Sequence, residues 1–378
     1  MFLALKEMKR AKVRFGLLIA AVAMLVFLIL FQQSLQNGLI TSFVGAIRNQ
    51  SADVLVYRTD GRRILQASVV TPDLEAMVRT SPDVAGVGRI GQGTFTVTPL
   101  AEGAGAIPTE TSVLGYEVDD LGGPTDLVAG RLPVAEGEAV ASDVDADAGF
   151  GVGEVVRVEP GGLELTVVGL ARDARLNVTP TLFVRYATYL EAVASRNPDA
   201  AAPLPNALGV RPAAGLGAAE VAARLNLLSE DLDVLPRAEA ADRTPGVAQV
   251  RQSFQVIFLL YGFVVPLVTG LFFLIITFQK AAALTLLRAI GAPATKLVAA
   301  LMVQVGVVLG GGLATGVLLY AVLVRGRIGG ITVRFETTAV VVWVVLLSLG
   351  GLLSALFSAR RVLAIDPYAA TTGAGLGR

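Results

Sequence analysis

The chain has 378 residues, 54% of them hydrophobic and 16% charged, and its mean hydropathy of +0.66 is too high for an ordinary soluble protein of this length. Its 31 basic residues balance 31 acidic ones, so no global basic field points to nucleic acid. Neither cysteine nor histidine occurs, which excludes disulfides, Cys- or Ser-His-Asp-based nucleophiles and His/Cys metal sites; no catalytic residue, metal ligand or cofactor is assigned to this chain.

Residues 1–14 carry Lys6, Lys9, Arg10, Lys12 and Arg14 against Glu7, with Phe2, Leu5 and Met8 in an apolar line at helical spacing. This reads as an interfacial helix held on the cytoplasmic side by the positive-inside rule. The competing reading is the charged start of a signal peptide, but the uncharged run continues from Phe15 to Ile47, well past a signal core. As continuous helix that run would reach about 50 Å against a hydrocarbon core near 30 Å. Residues 15–47 are therefore a first span plus a projecting stalk, with Gln32, Gln33, Gln36 and Asn37 marking the exit from lipid.

Residues 48–251 change material: mixed charge, frequent Gly and Pro, and short alternating segments at Asp53–Tyr57, Gly93–Thr98, Val155–Val158 and Leu163–Val168. Helices are expected at Pro72–Thr80, opened by Thr71, and at Gly217–Leu228. Few helices among short strands predict an extracytoplasmic α+β domain inserted between the first and second spans, giving an α-helical membrane protein with four transmembrane helices. Two motifs inside it are weighed and set aside. Asp143, Asp145, Asp147 and Glu154 occupy EF-hand loop positions, but Ala148 stands where the sharp turn needs glycine, so a solvated acidic turn is the favoured reading. Gly86, Gly88 and Gly91 spell G-x-G-x-x-G without a preceding buried strand, and a turn entering a strand is expected instead.

Residues 252–279 form the second span, with Gly262, Pro266 and Gly270 set four apart on a face expected to pack inward. Residues 280–296 are a short cytoplasmic helix whose Leu284, Leu287 and Ile290 make one apolar edge with Arg288 beside it; Gly291 and Pro293 stop it. From periodicity alone, docking on a protein groove and lying on lipid headgroups are equally compatible. The third span, 297–324, has Gly306 with Gly310 and Gly312 with Gly316 as two close-packing spacings, within the chain or between chains. An external turn, 325–336, precedes the fourth span, 337–359, where Gly350 and Ser354 continue the small-residue theme; 360–378 is a cytoplasmic tail. The arginines of the turn run against the positive-inside rule and are outweighed by the basic residues at the other ends of the spans.

The segment L-L-R-A-I-G-A, Leu286–Ala292, followed by an apolar span, resembles the cytoplasmic segment of FtsX-like and MacB-type ABC transporter permeases. The position eight before the glycine, usually acidic in that family, is Ala283 here. Leu127–Ser142 with its G-R-L-P-V-A-E-G-E turn, followed by G-V-G-E-V-V-R-V, resembles the extracytoplasmic domain of MacB-type members, and A-R-R-V-L-A-I-D-P resembles the family's ending. The opening span, R-F-G-L-L-I-A-A-V-A-M, is nearest the DevC-like exporter branch.

The resemblance implies a non-catalytic permease subunit in the bacterial plasma (inner) membrane, multi-pass with both termini cytoplasmic. Leu284, Leu286, Leu287, Arg288, Ala289, Ile290, Gly291 and Ala292 would couple to a separate ABC ATPase, which binds ATP and Mg. The absence of G-x-x-x-x-G-K-[S/T] from this chain agrees with that division of labour. Further implied partners are a second permease, as homodimer or paired chain, membrane lipids, and a periplasmic adaptor or cell-wall enzyme, with no nucleic acid. The work is export or extraction of a lipid, lipoprotein, peptide or hydrophobic compound through mechanotransmission; the competing reading is a non-transporting regulator that relays ATP hydrolysis to a cell-wall hydrolase or sensor.

Overall fold

The computed structural model describes residues 11–100, 107–196, 203–279, 293–324, 326–328 and 331–363. They divide into two compact units, a helical one and a mixed-sheet one.

The helical unit is built from four long apolar helices: α1 (Lys12–Arg48), whose end past Asn37 belongs to the sheet unit, and the three that follow that unit in the chain. All four are long and apolar enough to cross a membrane. A core of Val22, Val26, Ile29, Leu30, Val305 and Leu309, among others, runs through the unit.

The sheet unit begins with β1 (Val54–Arg58), α2 (Pro72–Arg79) and β2 (Val84–Pro99). Thr71 precedes α2 in extended conformation and Pro72 opens it, as its missing N–H costs nothing in a first turn. Next come β3 (Thr109–Tyr116), β4 (Leu127–Gly130), β5 (Glu138–Ser142), β6 (Val155–Glu159), β7 (Leu163–Ala171), β8 (Thr181–Arg185) and α3 (Tyr186–Arg196). The unit closes with β9 (Ala207–Pro212), α4 (Ala218–Asn226), β10 (Leu232–Pro236) and α5 (Arg237–Asp242).

Two lobes share the long strand β2. In the first, β10-β1-β9-β2 pair antiparallel in that order, with α2 and α4 as crossovers, which is the β-α-β-β-α-β arrangement of ferredoxin-like folds. Strand alternation decides its two faces. Val54 and Val56 point toward α2 and α4 with Leu74, Val78, Val221 and Leu225, while Leu55 and Tyr57 point to the opposite core with Val44, Ile47 and Ala241.

The second lobe is the insertion between β2 and β9. Its pairings run β2-β3-β8-β5-β7-β6 and return to β2, so six strands close on themselves and β4 pairs on the outside of β7. Closure satisfies strand edges that would otherwise stay open. The interior is filled by Phe95, Val97, Val113, Phe150, Val156 and Leu165, with Tyr189 of α3 also buried. The domain is thus α+β, as expected, but its insertion is a closed barrel.

The second long helix is α6 (Val247–Gln279), followed by α7 (Ala294–Leu323), the short strands β11 (Gly326–Ile328) and β12 (Ile331–Val333), and α8 (Thr337–Leu363). Pro266 lies inside α6.

Candidate functional site in the helical unit

The residues expected to engage an ATPase, Leu284, Leu286, Leu287, Arg288, Ala289, Ile290, Gly291 and Ala292, lie outside the described residues. Their flanks are defined: α6 ends at Gln279, and α7 starts after Pro293, which stands at its N-cap in extended conformation. The interfacial residues 1–10 and the tail beyond 363 also lie outside the described residues.

The glycines of α7 separate into two faces. A Cβ placed on Gly312 would stand 2.5 Å from Val22 Cγ1, and one on Gly316 would stand 2.7 Å from the Ala23 carbonyl oxygen and 2.8 Å from Val26 Cβ. These two glycines let α7 approach α1 at backbone distance. Gly306 and Gly310 are exposed, with nothing within 4 Å of such an atom. Two residues separate Gly310 from Gly312, a rotation of about 200°, so the pairs had to face opposite ways.

Gly350 and Ser354 of α8 meet α6. Gly350 admits Pro266, whose Cγ would lie 2.8 Å from an added Cβ, and Ser354 Oγ donates to the Pro266 carbonyl at 2.8 Å. The Gly262, Pro266, Gly270 face therefore packs inward against α8, with Gly270 buried beside Ser354. Ser354 serves the carbonyl of Pro266 itself; the carbonyl that a proline frees is the one four residues earlier.

A polar network missed by the sequence reading joins α1, α7 and the start of α8. Tyr320 Oη shares a short hydrogen bond with Ser34 Oγ, donates to the Arg334 carbonyl at 3.2 Å and accepts the Glu336 N–H at 3.1 Å. Ser34 Oγ, whose one proton is then left to Tyr320, also stands 2.9 Å from the Arg334 carbonyl oxygen. Asn37 Nδ2 donates to Glu336 Oε2 at 2.5 Å, Gln33 Nε2 donates to Asn37 Oδ1 at 3.4 Å, and Trp343 Nε1 donates to Gln33 Oε1 at 3.5 Å. The available cue was the cluster Gln33, Ser34, Gln36 and Asn37, which puts four polar side chains on adjoining positions of an otherwise apolar helix. Burial pushes the Glu336 carboxyl above its ordinary range, and the Asn37 hydrogen bond opposes that rise.

In the sheet unit both set-aside motifs have a structural use. Asp143–Ala148 is a 3-10 turn in which buried Asp145 receives Arg175 Nε at 3.0 and 3.1 Å, Asp143 Oδ1 accepts the Asp173 N–H, and Glu154 Oε2 accepts the Gly151 N–H. Asp145 is thus a buried ion-pair partner, where a solvated turn was expected. Among the described residues no group of three or more His, Cys, Asp or Glu could hold a metal. Gly86, Gly88 and Gly91 all lie within β2, where Gly88 makes room for Leu121 and Gly91 for the Tyr189 ring. The G-R-L-P-V-A-E-G-E turn has a stated cause as well. Glu138 accepts the Arg131 guanidinium and the N–H groups of Val134 and Ala135, which folds the turn onto the head of β5.

No protein-family model matches the chain, and no curated protein does. Solved structures similar to it in part include two extracytoplasmic regions. The periplasmic region of MacB from Actinobacillus actinomycetemcomitans has 13% identity and a TM-score of 0.36, covering 51% of this chain and 92% of that one. The extracellular domain of the noncanonic ABC-type transporter YknZ from Gram-positive bacteria has 14% identity and a TM-score of 0.32, covering 48% of this chain and 98% of that one.

Proposed function

We propose that this chain is the transmembrane permease subunit of an ABC transporter of the FtsX-like, MacB-type group, nearest its DevC-like exporter branch. The observation that carries the reading is the segment Leu286–Ala292, which resembles the family's coupling helix and falls between the end of α6 and the start of α7. In this reading the four apolar helices span the plasma membrane, both termini are cytoplasmic, and the mixed-sheet unit is extracytoplasmic between the first and second spans. A separate ATPase binds ATP and Mg, grips residues 284–292, and its closure drives the helices.

The chain itself is non-catalytic and works by transmitting force in export or extraction of a hydrophobic or lipid-linked compound. A bundle with few charges in its helices offers no polar conduit for a hydrophilic solute. A second permease completes the assembly, and the exposed Gly306–Gly310 edge of α7 is the face assigned to that pairing.

The test is reconstitution of the full chain with its ATPase in vesicles. Leu287→Glu combined with Arg288→Glu is expected to abolish permease-dependent stimulation of ATP hydrolysis while membrane insertion stays normal. Stimulation that survives both substitutions would remove the docking assignment.

A further inference from the structure

Acid is concentrated in the sheet unit, where residues 48–251 hold 28 carboxylates and 17 arginines with no lysine. Four of those acids, Glu117, Asp119, Asp120 and Asp126, fall in residues 117–126, which join β3 to β4 and include no basic residue. Gly122, Gly123 and Pro124 at the centre disfavour helix and strand, so the segment depends on other elements to hold it. Each acid meets an arginine from a different element. Arg79 of α2 donates to Glu117 at 3.3 Å and Arg211 of β9 pairs with Asp120, both in the ferredoxin-like lobe. Arg185 of β8 pairs with Asp119, and Arg172, just after β7, donates to Asp126 at 2.7 Å, both in the barrel lobe. Residues 117–126 are thereby fastened across the two lobes.

The same segment holds the chain that leaves α1. Ser51 N–H donates to the Gly123 carbonyl at 2.9 Å, Thr125 N–H to the Asn49 carbonyl at 3.0 Å and Gly122 N–H to Ser51 Oγ at 3.0 Å. Residues 42–51 thus have two attachments, this one and the loop after β7, which bonds to the backbone of Ser42, Phe43 and Ala46. The two differ in kind. Behind the loop stands Arg175 on Asp145, a pair withdrawn from solvent and costly to separate. The four pairs on 117–126 have side chains 30–61% exposed, a setting in which a single ion pair contributes little. The buried part of the segment is Leu121–Pro124, in which only Leu121 and Pro124 carry side chains beyond a hydrogen. Leu121 sits against Gly86 and Gly88 of β2 and Gly209 of β9, a floor of backbone that offers no side chain to interlock with it.

We propose that residues 117–126 are a releasable strap, a unit that lifts from the sheet while both lobes stay folded. Its release frees Asn49 and Ser51 and leaves the end of α1 attached through the loop after β7 and through the chain itself. Use of that release to set how displacement of α1 divides between the lobes rests on the permease reading; the strap itself does not.

Native-state hydrogen exchange tests this on the full chain in maltoside micelles, resolved to single amides and repeated in urea below the unfolding transition. A strap that opens alone exposes little surface, so exchange at Ser51, Gly122 and Thr125 should be nearly independent of urea. Ala46, Asn177 and Val178, bonded at the other attachment, should exchange more slowly and accelerate with urea. Without urea, D119N/D120N/D126N should speed exchange at the three strap amides about tenfold, the combined effect of three exposed pairs. L121A should speed the same three by at least that factor, since it removes the buried leucine. Equal urea slopes for the two sets of amides, or unchanged exchange at Ser51, Gly122 and Thr125 in the two folded variants, would overturn the proposal. No ATPase or nucleotide is present, so such a failure leaves the permease reading standing, and loss of ATPase stimulation leaves the exchange result readable.

Discussion

Alanine at Gly316 and alanine at Gly306 make the sharpest comparison the helical unit offers. Both glycines lie inside α7, and in each case alanine gains about 0.8–1 kcal/mol of helix propensity. The gain cancels when the two variants are compared. What remains is the fit of one methyl group, which at 316 would stand 2.7 Å from the Ala23 carbonyl oxygen and at 306 meets nothing within 4 Å. An approach below about 3.0 Å to backbone forces α1 to shift, and forcing a methylene into a packed core costs about 1–3 kcal/mol. G316A should therefore be less stable than G306A by about 1–3 kcal/mol. Reversible denaturation in mixed micelles with increasing dodecyl sulfate, followed by circular dichroism, measures the difference. Equal midpoints for the two variants would refute the assignment of Gly316 to an α1 contact.

Two further outcomes concern the sheet unit. Asp145 is 1% and Arg175 11% exposed in their side chains, so D145N weakens a buried ion pair and should destabilise the domain; hydrogen exchange at Ala46, Asn177 and Val178 checks this, and unchanged protection would count against it. Glu138 is held down to about 2, first by the Arg131 guanidinium and then by the Val134 and Ala135 N–H groups. A depressed folded value places its contribution in full above the ordinary carboxylate range and removes it as pH falls toward 2, so melting temperature should drop less over that window in E138Q than in the unmodified chain. Parallel pH profiles would contradict the role given to this turn.

Local signals reached the elements and stopped at their partners. Uncharged runs gave the four long helices, and the Thr71-Pro72 start gave a helix observed at Pro72–Arg79. Barrel closure was out of reach because β6 joins β2 and β7 through pairings set by tertiary packing, and nothing in Val155–Glu159 itself names those neighbours. Within the acidic run 143–147, Asp145 was misread as solvated because its partner, Arg175, lies 30 residues away, whereas Asp147 is exposed as expected. Nothing around Glu336 in the sequence signalled its partners, since Asn37 and Tyr320 come from distant parts of the chain. The α7 glycines were legible as two close-packing spacings, but which pair meets α1 is set by the packing of Val22, Ala23 and Val26 and not by the spacing itself.

If force is the output of this subunit, the sheet unit has to hold the end of α1 by more than side-chain packing, and it does so through backbone. Val44 leaves helical geometry, with φ −131° and ψ 15°, and the loop after β7 supplies partners at that break. Ala46 N–H donates to the Arg175 carbonyl, Asn177 N–H to the Phe43 carbonyl and Val178 N–H to the Ser42 carbonyl, each at 2.9 Å. Gly45 permits the approach, since any Cβ there would collide with the Asp173 carbonyl. The loop is in turn anchored to the barrel lobe by Arg175 on Asp145, and Asn177 and Val178 take positive φ to reach the helix. Side chains in a packed interface can slide past one another at small cost per contact, whereas pulling this loop off breaks three backbone hydrogen bonds and a buried ion pair together. On the neighbouring side, Asp242 accepts from Arg48 at 2.9 Å and from Arg251 at 3.0 Å, tying the end of α1 to the start of α6. That pair of bridges is half exposed and adds little stability. Its effect is geometric: within the sheet unit the end of α1 and the start of α6 meet at one carboxylate, and the loop after β7 binds the break at Val44 to the barrel lobe.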